Sequence, residues 1–167
     1  MTDQPELARA RPRMPATYGV DRAAVEGMLP WSFVTERMTS SRNYWMASTR
    51  PNGRPHVAPV WGLWLDDVFY FSTDPASQKG RNLAANPEVV VHLESGDDVV
   101  ILEGPVEHLP GASLPDGFAD AYFVKYGFAV DFTNPSYGAY RLRTRAVWAW
   151  QEKDFVASAT RWRFARA

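Results

Sequence analysis

The sequence predicts a mainly β fold: a largely antiparallel sheet closed into a barrel, with a few short helices. Apolar runs rich in Val, Phe, Tyr and Trp recur along the chain at strand-like lengths. The gaps between most of them are turn-sized and carry Gly, Pro, Asn or Asp, so neighbouring runs pair as hairpins. Helical patterns are few, and with this many strands closure is the natural way to hide sheet edges.

Taken in order, residues 1–20 hold Arg9, Arg11, Arg13 and three prolines with little apolar periodicity. They read as a flexible arm or a strap over a partner, leaving residues 21–167 as a single domain. Ser32 is placed to cap a short helix through Phe33, Val34, Arg37 and Met38 that ends near Ser40 and Ser41. "NYWMAST" (43–49) and residues 56–64 flank the turn "RPNGRP" (50–55) and form a hairpin. Asp66 and Asp67 make the next turn, into "VFYFST" (68–73). A helix follows, with Asp74 as cap, Pro75 in its first position and Asn86-Pro87 as its stop. "EVVVHLE" (88–94) and "DVVILEGPVEHL" (98–109) are joined through Ser-Gly-Asp. A second helix spans 116–126, with Gly127 beyond its end. Strand 139–150 alternates, with Tyr140, Leu142, Thr144, Ala146, Trp148 and Trp150 on one face and Arg141, Arg143, Arg145 and Val147 on the other. Residues 155–166 can add one more strand.

Composition narrows the function classes. The chain of 167 residues is 46% hydrophobic and 14% aromatic, enough for one domain with a sizeable core. Its net charge of -1 argues against a general nucleic-acid binder. The absence of Cys removes disulfides, thiolate metal sites and cysteine nucleophiles together. No apolar run approaches a membrane span and no signal-peptide core opens the chain, so a cytoplasmic location is expected. His56, His92 and His108 fall in different strands without an acidic cluster, so no metal centre is expected.

Two places invite chemistry. Pro59 sits inside a strand-like run, and because proline has no N–H to give a neighbour it belongs on an edge, at a bulge, or beside a ligand. The helix "SQKGRNLAANP" (77–87) follows Ser72 and Thr73 at a strand end; its free N–H groups, Ser77, Lys79 and Arg81 suit an anion, although a solvated polar face explains the same residues. Arg141, Arg143 and Arg145 form a cationic stripe that either receives an anionic tail or protects an exposed strand.

The order strand, "GRPHVAPVW", strand, "ST…SQKGRNL…NP", closing in "VVILEG", resembles the pyridoxamine 5′-phosphate oxidase-like superfamily of split β-barrel flavoproteins over residues 44–107. More narrowly it is similar to the actinobacterial flavin/deazaflavin-dependent oxidoreductases, among which are binders of coenzyme F420. The resemblance implies a split β-barrel homodimer with cofactor sites at the subunit interface. It places the cofactor ring along the backbone of Ala58, Pro59, Val60 and Trp61. Ser72, Thr73, Ser77, Gln78, Lys79 and Asn82, with Arg81 beside them, would hold the ribityl phosphate end. The ending "ATRWRFARA" is not the Arg-rich signature with which the vitamin B6 oxidases bind pyridoxal phosphate. The expected activity is hydride transfer from F420 to an electron-poor or conjugated small molecule. The alternatives are an FMN-dependent oxidoreductase and a non-catalytic F420 or flavin carrier. No catalytic side chain is identified; Tyr126, Tyr137 and Tyr140 are proton-donor candidates by chemistry alone.

Overall fold

A computed structural model describes residues 8–164. In chain order the elements are β1 (Ala8–Ala10), α1 (Trp31–Ser40), β2 (Tyr44–Thr49), β3 (Pro55–Val60), β4 (Gly62–Leu65), β5 (Val68–Thr73), α2 (Gln78–Ala85), β6 (Glu88–His92), β7 (Asp98–Leu109), α3 (Phe118–Tyr126), β8 (Gly138–Leu142), β9 (Ala146–Gln151), α4 (Phe155–Ser158) and β10 (Thr160–Arg163). The strands form a split β-barrel in which every pairing is antiparallel. One path runs β1-β10-β9-β7-β6-β2-β3, and a second joins β4, β5 and β8 to the same β7.

The 12-residue β7 belongs to both paths: Asp98–Glu103 pairs with β9, and Val106–Leu109 pairs with β8. The exchange happens at Gly104, where a Cβ would lie 2.2 Å from the Arg143 carbonyl oxygen. Arg143 and Arg145 donate their N–H groups to Pro105 and Glu103 on either side of it. Residues 143–145 therefore cross between partners, and the continuous strand expected over 139–150 becomes β8 and β9. The alternation changes phase at the crossing. Tyr140 and Leu142 are buried before it, Val147 and Ala149 after it, and Trp148 and Trp150 turn outward, half-buried.

Three other expectations shift. The run 56–64 breaks at Trp61 into β3 and β4, because Gly62 packs so tightly that a Cβ there would sit 2.5 Å from the Tyr70 carbonyl oxygen and from the Phe69 ring. Helix α1 begins at Trp31, ahead of Ser32, with no side-chain cap. Helix α2 starts at Gln78 with Ser77 as its cap: the Ser77 Oγ accepts from the Gly80 N–H, while Asp74 Oδ1 accepts from Ala76 N in a turn of its own. That turn folds against the helix because Gly80 has no Cβ; one would meet the Pro75 carbonyl oxygen at 2.3 Å.

Residues 1–7 of the expected arm lie outside the described residues, but the rest of it is not free. β1 pairs with β10. The buried Arg11 guanidinium donates to the carbonyls of Ala24 (2.7 Å), Glu26 (2.5 Å), Ala157 (2.5 Å) and Ala159 (3.0 Å). An arginine fork satisfies this many backbone acceptors at once, and two of them sit at the C-terminal end of α4, where the helix dipole favours a cation.

The barrel interior is filled by Met38, Tyr44, Met46, Phe69, Phe71 and Trp162 among others. A second cluster, with Leu63, Tyr70, Phe118, Tyr122 and Phe132, lies under α3 on the far face of β4-β5-β8. That small sheet is thus buried on both faces. No helix among the described residues is long and apolar enough to cross a membrane, and no three metal-ligating side chains converge among them.

Candidate functional site

Among the described residues β3 pairs only with β2, which leaves the other side of its backbone without a strand partner there. A proline tolerates such an edge because its missing N–H would have served no ladder. Along β3 the side chains of His56, Ala58 and Val60 turn toward the barrel, while Val57 and Pro59 are exposed. Trp61 follows at the corner with 38% of its surface open. Its indole lies flat on the Tyr126 ring, with centroids 4.6 Å apart and planes 9° from parallel.

A groove of about 310 Å³ opens beside this corner, lined by Trp61, Ser72, Thr73, Asp74 and, from α3 and the loop after it, Tyr122, Phe128, Val130, Ser136 and Tyr137. Trp61, Ser72 and Thr73 were expected from the sequence. The wall from Tyr122 to Tyr137 was not, except that Tyr137 was singled out for its hydroxyl. The signal for the rest lay in α3 itself, whose sequence "FADAYFVKY" is apolar nearly all round. Asp74 is the one charged side chain lining the groove.

The start of α2 presents the polar end. Thr73 Oγ1 and Ser77 Oγ are 3.1 Å apart, and the Ser77 oxygen is engaged as the cap. Lys79 is half-buried. Burial, then the positive charges of Arg50 and Lys79, hold the His56 imidazole below its ordinary pKa. The His56 Nδ1 is buried without a hydrogen-bond partner. Arg50 and Lys79 therefore form a cationic ledge around the uncharged His56 imidazole, between the β2–β3 hairpin and α2, of which the sequence singled out only Lys79 for binding. Arg81 folds back along its helix, donating to the Ala76 carbonyl and to Gln78 Oε1.

Asn82 has a different part from the one expected. It is wholly buried, donates to Ser48 Oγ at 2.9 Å and accepts from Gln78 Nε2 at 2.8 Å. It ties α2 to β2 and has no open face for a ligand. The arginine stripe is likewise occupied: Arg141 and Arg143 both pair with Glu107, and Arg145 pairs with Glu88. Those pairs fit the surface-protection reading of the stripe better than an anion site.

Of the three tyrosines considered as acids, Tyr126 donates to the Arg42 carbonyl, and burial pushes its hydroxyl up to about 12. Tyr140 is buried, stacked on Phe71, and also raised by burial. Only Tyr137, 39% exposed, faces the groove.

A family model described as pyridoxamine 5′-phosphate oxidase matches residues 33–151, from α1 through β9. Among curated proteins, the pyridoxine/pyridoxamine 5′-phosphate oxidase of Gluconobacter oxydans is 40% identical over 81 residues, covering 47% of this chain and 38% of that one. The protein of the same name from Bradyrhizobium diazoefficiens is 32% identical over 125 residues, 73% of this chain and 49% of that one. The chain thus spans at most about half the length of these relatives. Among solved structures, a conserved hypothetical protein from Mycobacterium tuberculosis aligns with a TM-score of 0.64 at 22% identity, over 78% of this chain and 90% of that one. An F420 reductase aligns with a TM-score of 0.54 at 24% identity, over 67% of this chain and 94% of that one. With the family model covering most of the chain and the split barrel in place, this protein belongs to the pyridoxamine 5′-phosphate oxidase family.

Proposed function

We propose that this chain is an oxidoreductase that binds a flavin-type tricyclic cofactor along the free edge of β3, with coenzyme F420 as the cofactor and FMN as the alternative. What carries this is the combination of an unpaired strand edge, an aromatic corner at Trp61, and the cationic ledge of Arg50 and Lys79 beside His56 at the start of α2. A flat heterocycle suits the first two features, and a phosphate suits the third, where ammonium, guanidinium and free helix N–H groups converge. Likeness to an F420 reductase favours F420; the relatives named pyridoxine/pyridoxamine 5′-phosphate oxidase favour FMN.

When bound, either cofactor supplies hydride transfer to an electron-poor or conjugated acceptor. The chain's own part is to orient and exclude water: Trp61, Tyr122, Phe128 and Tyr137 wall the groove, and Tyr137 offers it a hydroxyl. Asp74, the sole charged lining group, opposes an anionic substrate, so neutral or cationic acceptors fit better than phosphorylated vitamers.

We also infer that a second copy of the chain covers the outer face of the large sheet. One transverse row there runs Pro59, Trp45, His92, Ile101 and Trp148 across five strands, none of them buried. A solvent-facing antiparallel sheet ordinarily alternates to polar residues on its wet side. The row ends on β3, so a covering copy reaches the proposed cofactor edge.

The deciding experiment is titration of the protein with F420 and with FMN, followed by fluorescence. Affinity near micromolar for one and none measurable for the other selects the cofactor, and no binding of either overturns the proposal. Turnover of the reduced complex by candidate acceptors separates an enzyme from a carrier.

A further inference from the structure

The corner that carries Trp61 is held by an arrangement of side chains that the cofactor reading leaves unused. Both backbone groups of Gly62 point at the end of α3. The Gly62 N–H donates to the Tyr126 hydroxyl at 2.8 Å, and its carbonyl oxygen lies 2.8 Å from that hydroxyl and 3.0 Å from Lys125 Nζ. Tyr126 has a single proton to give, and the Arg42 carbonyl, also at 2.8 Å, competes for it. When that proton goes to Arg42, Lys125 is the donor left for Gly62. Lys125 also donates to the Tyr44 hydroxyl at 2.7 Å, and Tyr44 in turn donates to the Met38 carbonyl at 2.5 Å. Arg42 closes the ring of contacts by donating to the Lys125 carbonyl and lying over the Trp61 and Tyr126 rings.

We propose that Lys125 is a positioning residue that clamps the β3–β4 corner, and that through Trp61 its protonation state sets how well the groove holds a planar ligand. Lys125 is half-buried and no carboxylate pairs with it among the described residues. Burial, then the like charge of Arg42, brings its ammonium down to about 8. The titratable groups facing it are Tyr44 from β2, Arg42 from the link before β2, and Tyr126 beside it on α3; β4 presents only the Gly62 backbone. Tyr44 is pushed up by burial and Tyr126 to about 12, and an arginine stays charged. Between pH 7 and 9 the lysine alone changes charge among these groups. A neutral amine still donates, but without charge assistance, so the clamp loosens rather than opens.

This rests on the groove being the ligand site, and the test separates the two. F420 and FMN are each titrated at pH 7 and 9 into the parent, Lys125→Met and Lys125→Arg, with thermal melts on each, and the one that binds the parent at pH 7 is the probe. The parent should bind about three- to tenfold more weakly at pH 9, the range expected when a hydrogen bond loses charge assistance. Lys125→Met should show weak binding at both pH values, and Lys125→Arg, which keeps its charge, should show no fall between them. A merely structural lysine would lower the melting temperature of Lys125→Met and leave its pH profile parallel to the parent's; that result overturns the proposal. If neither F420 nor FMN binds any form at any pH, the cofactor reading fails instead. The clamp is then judged on the ligand-free protein, from the difference in tryptophan emission between the parent and Trp61→Phe. A step in that difference near pH 8, lost in Lys125→Met, sustains the clamp, and no step in the parent overturns it.

Discussion

Arg11→Ala removes a guanidinium that pairs with no carboxylate among the described residues and yet fastens three separate segments. Four carbonyl oxygens, those of Ala24, Glu26, Ala157 and Ala159, lie 2.5–3.0 Å from its nitrogens, and the residue is 5% exposed. Taken singly, a hydrogen bond to a charged group contributes about 1.5–3 kcal/mol. Four of them do not add, because the variant also sheds the desolvation of the cation and the loop carbonyls regain some water. A loss of about 3–4 kcal/mol is expected, within the range seen when one partner of a buried charged contact is removed. For a chain of this length that lowers the melting temperature by about 6–16 °C. Urea denaturation and thermal melts measure the global effect. Trypsin cleavage at Arg13 and Arg22 measures local release of the strap, which appears first if β1 detaches before the barrel opens. Arg11→Lys keeps the charge but not the fork, so it should recover less than half of the loss. A loss below about 1 kcal/mol, with cleavage as slow as in the parent, would refute the idea that these four contacts hold the strap.

Lys79→Ala should weaken cofactor binding by about 1–3 kcal/mol, ten- to a hundredfold, with the melting temperature nearly unchanged; equal affinity in a fluorescence titration would return Lys79 to a solvated helix face. Trp148→Glu puts a charge into the apolar row of the outer sheet and should shift the mass seen by light scattering from dimer to monomer, whereas an unchanged mass would mean that another surface joins the copies. Glu103 lies on the same face, and burial holds its carboxyl above the usual value, partly offset by Arg145. The folded protein therefore keeps that proton to higher pH than the unfolded chain does, and stability falls as pH rises from the ordinary carboxylate range through the raised value. Glu103→Gln should remove this fall, visible as a stability gain over the parent that grows as the pH rises above the ordinary carboxylate range in urea melts. Gly62→Ala drives a methyl group toward the Tyr70 carbonyl and should destabilise by about 2–3 kcal/mol by denaturation, since backbone rather than a flexible side chain would have to give way.

The parts of the fold legible in the sequence are those fixed by neighbours. The Asn-Gly turn between β2 and β3, the paired Asp66 and Asp67 at positive φ in the β4–β5 turn, and the left-handed Gly127 ending α3 each follow from local conformational preference. What escaped was set at a distance. Nothing near Ala8 announces its pairing with Arg163, and nothing within 139–150 announces the change of phase, which is imposed by Gly104 far away on β7. The candidate site divides the same way. Trp61, Ser72 and Thr73 meet at the groove because they flank one hairpin, and Lys79 follows from the helix start. Asn82 is hard to read locally because a polar residue on a helix with a polar face turns inward to Ser48. His56 and Arg50 were passed over for binding because their closeness to Lys79 depends on how α2 lies against the hairpin.

The pairing of β1 with β10 bears on the order in which the molecule can be assembled. Arg11 finds Ala24 and Glu26 nearby in sequence, but its acceptor Ala159 is 148 positions away, and β1 gains its strand partner only once β10 has been made. Until then the sheet ends at β9, whose hydrogen-bonding groups on that side are open to other extended chains. Closing so long a loop is entropically slow, and contacts this distant in sequence delay folding more than they weaken the finished structure. Docking of the strap therefore comes after β10 is made, and variants that loosen it should betray themselves in soluble yield before they do so in the activity of the molecules that succeed.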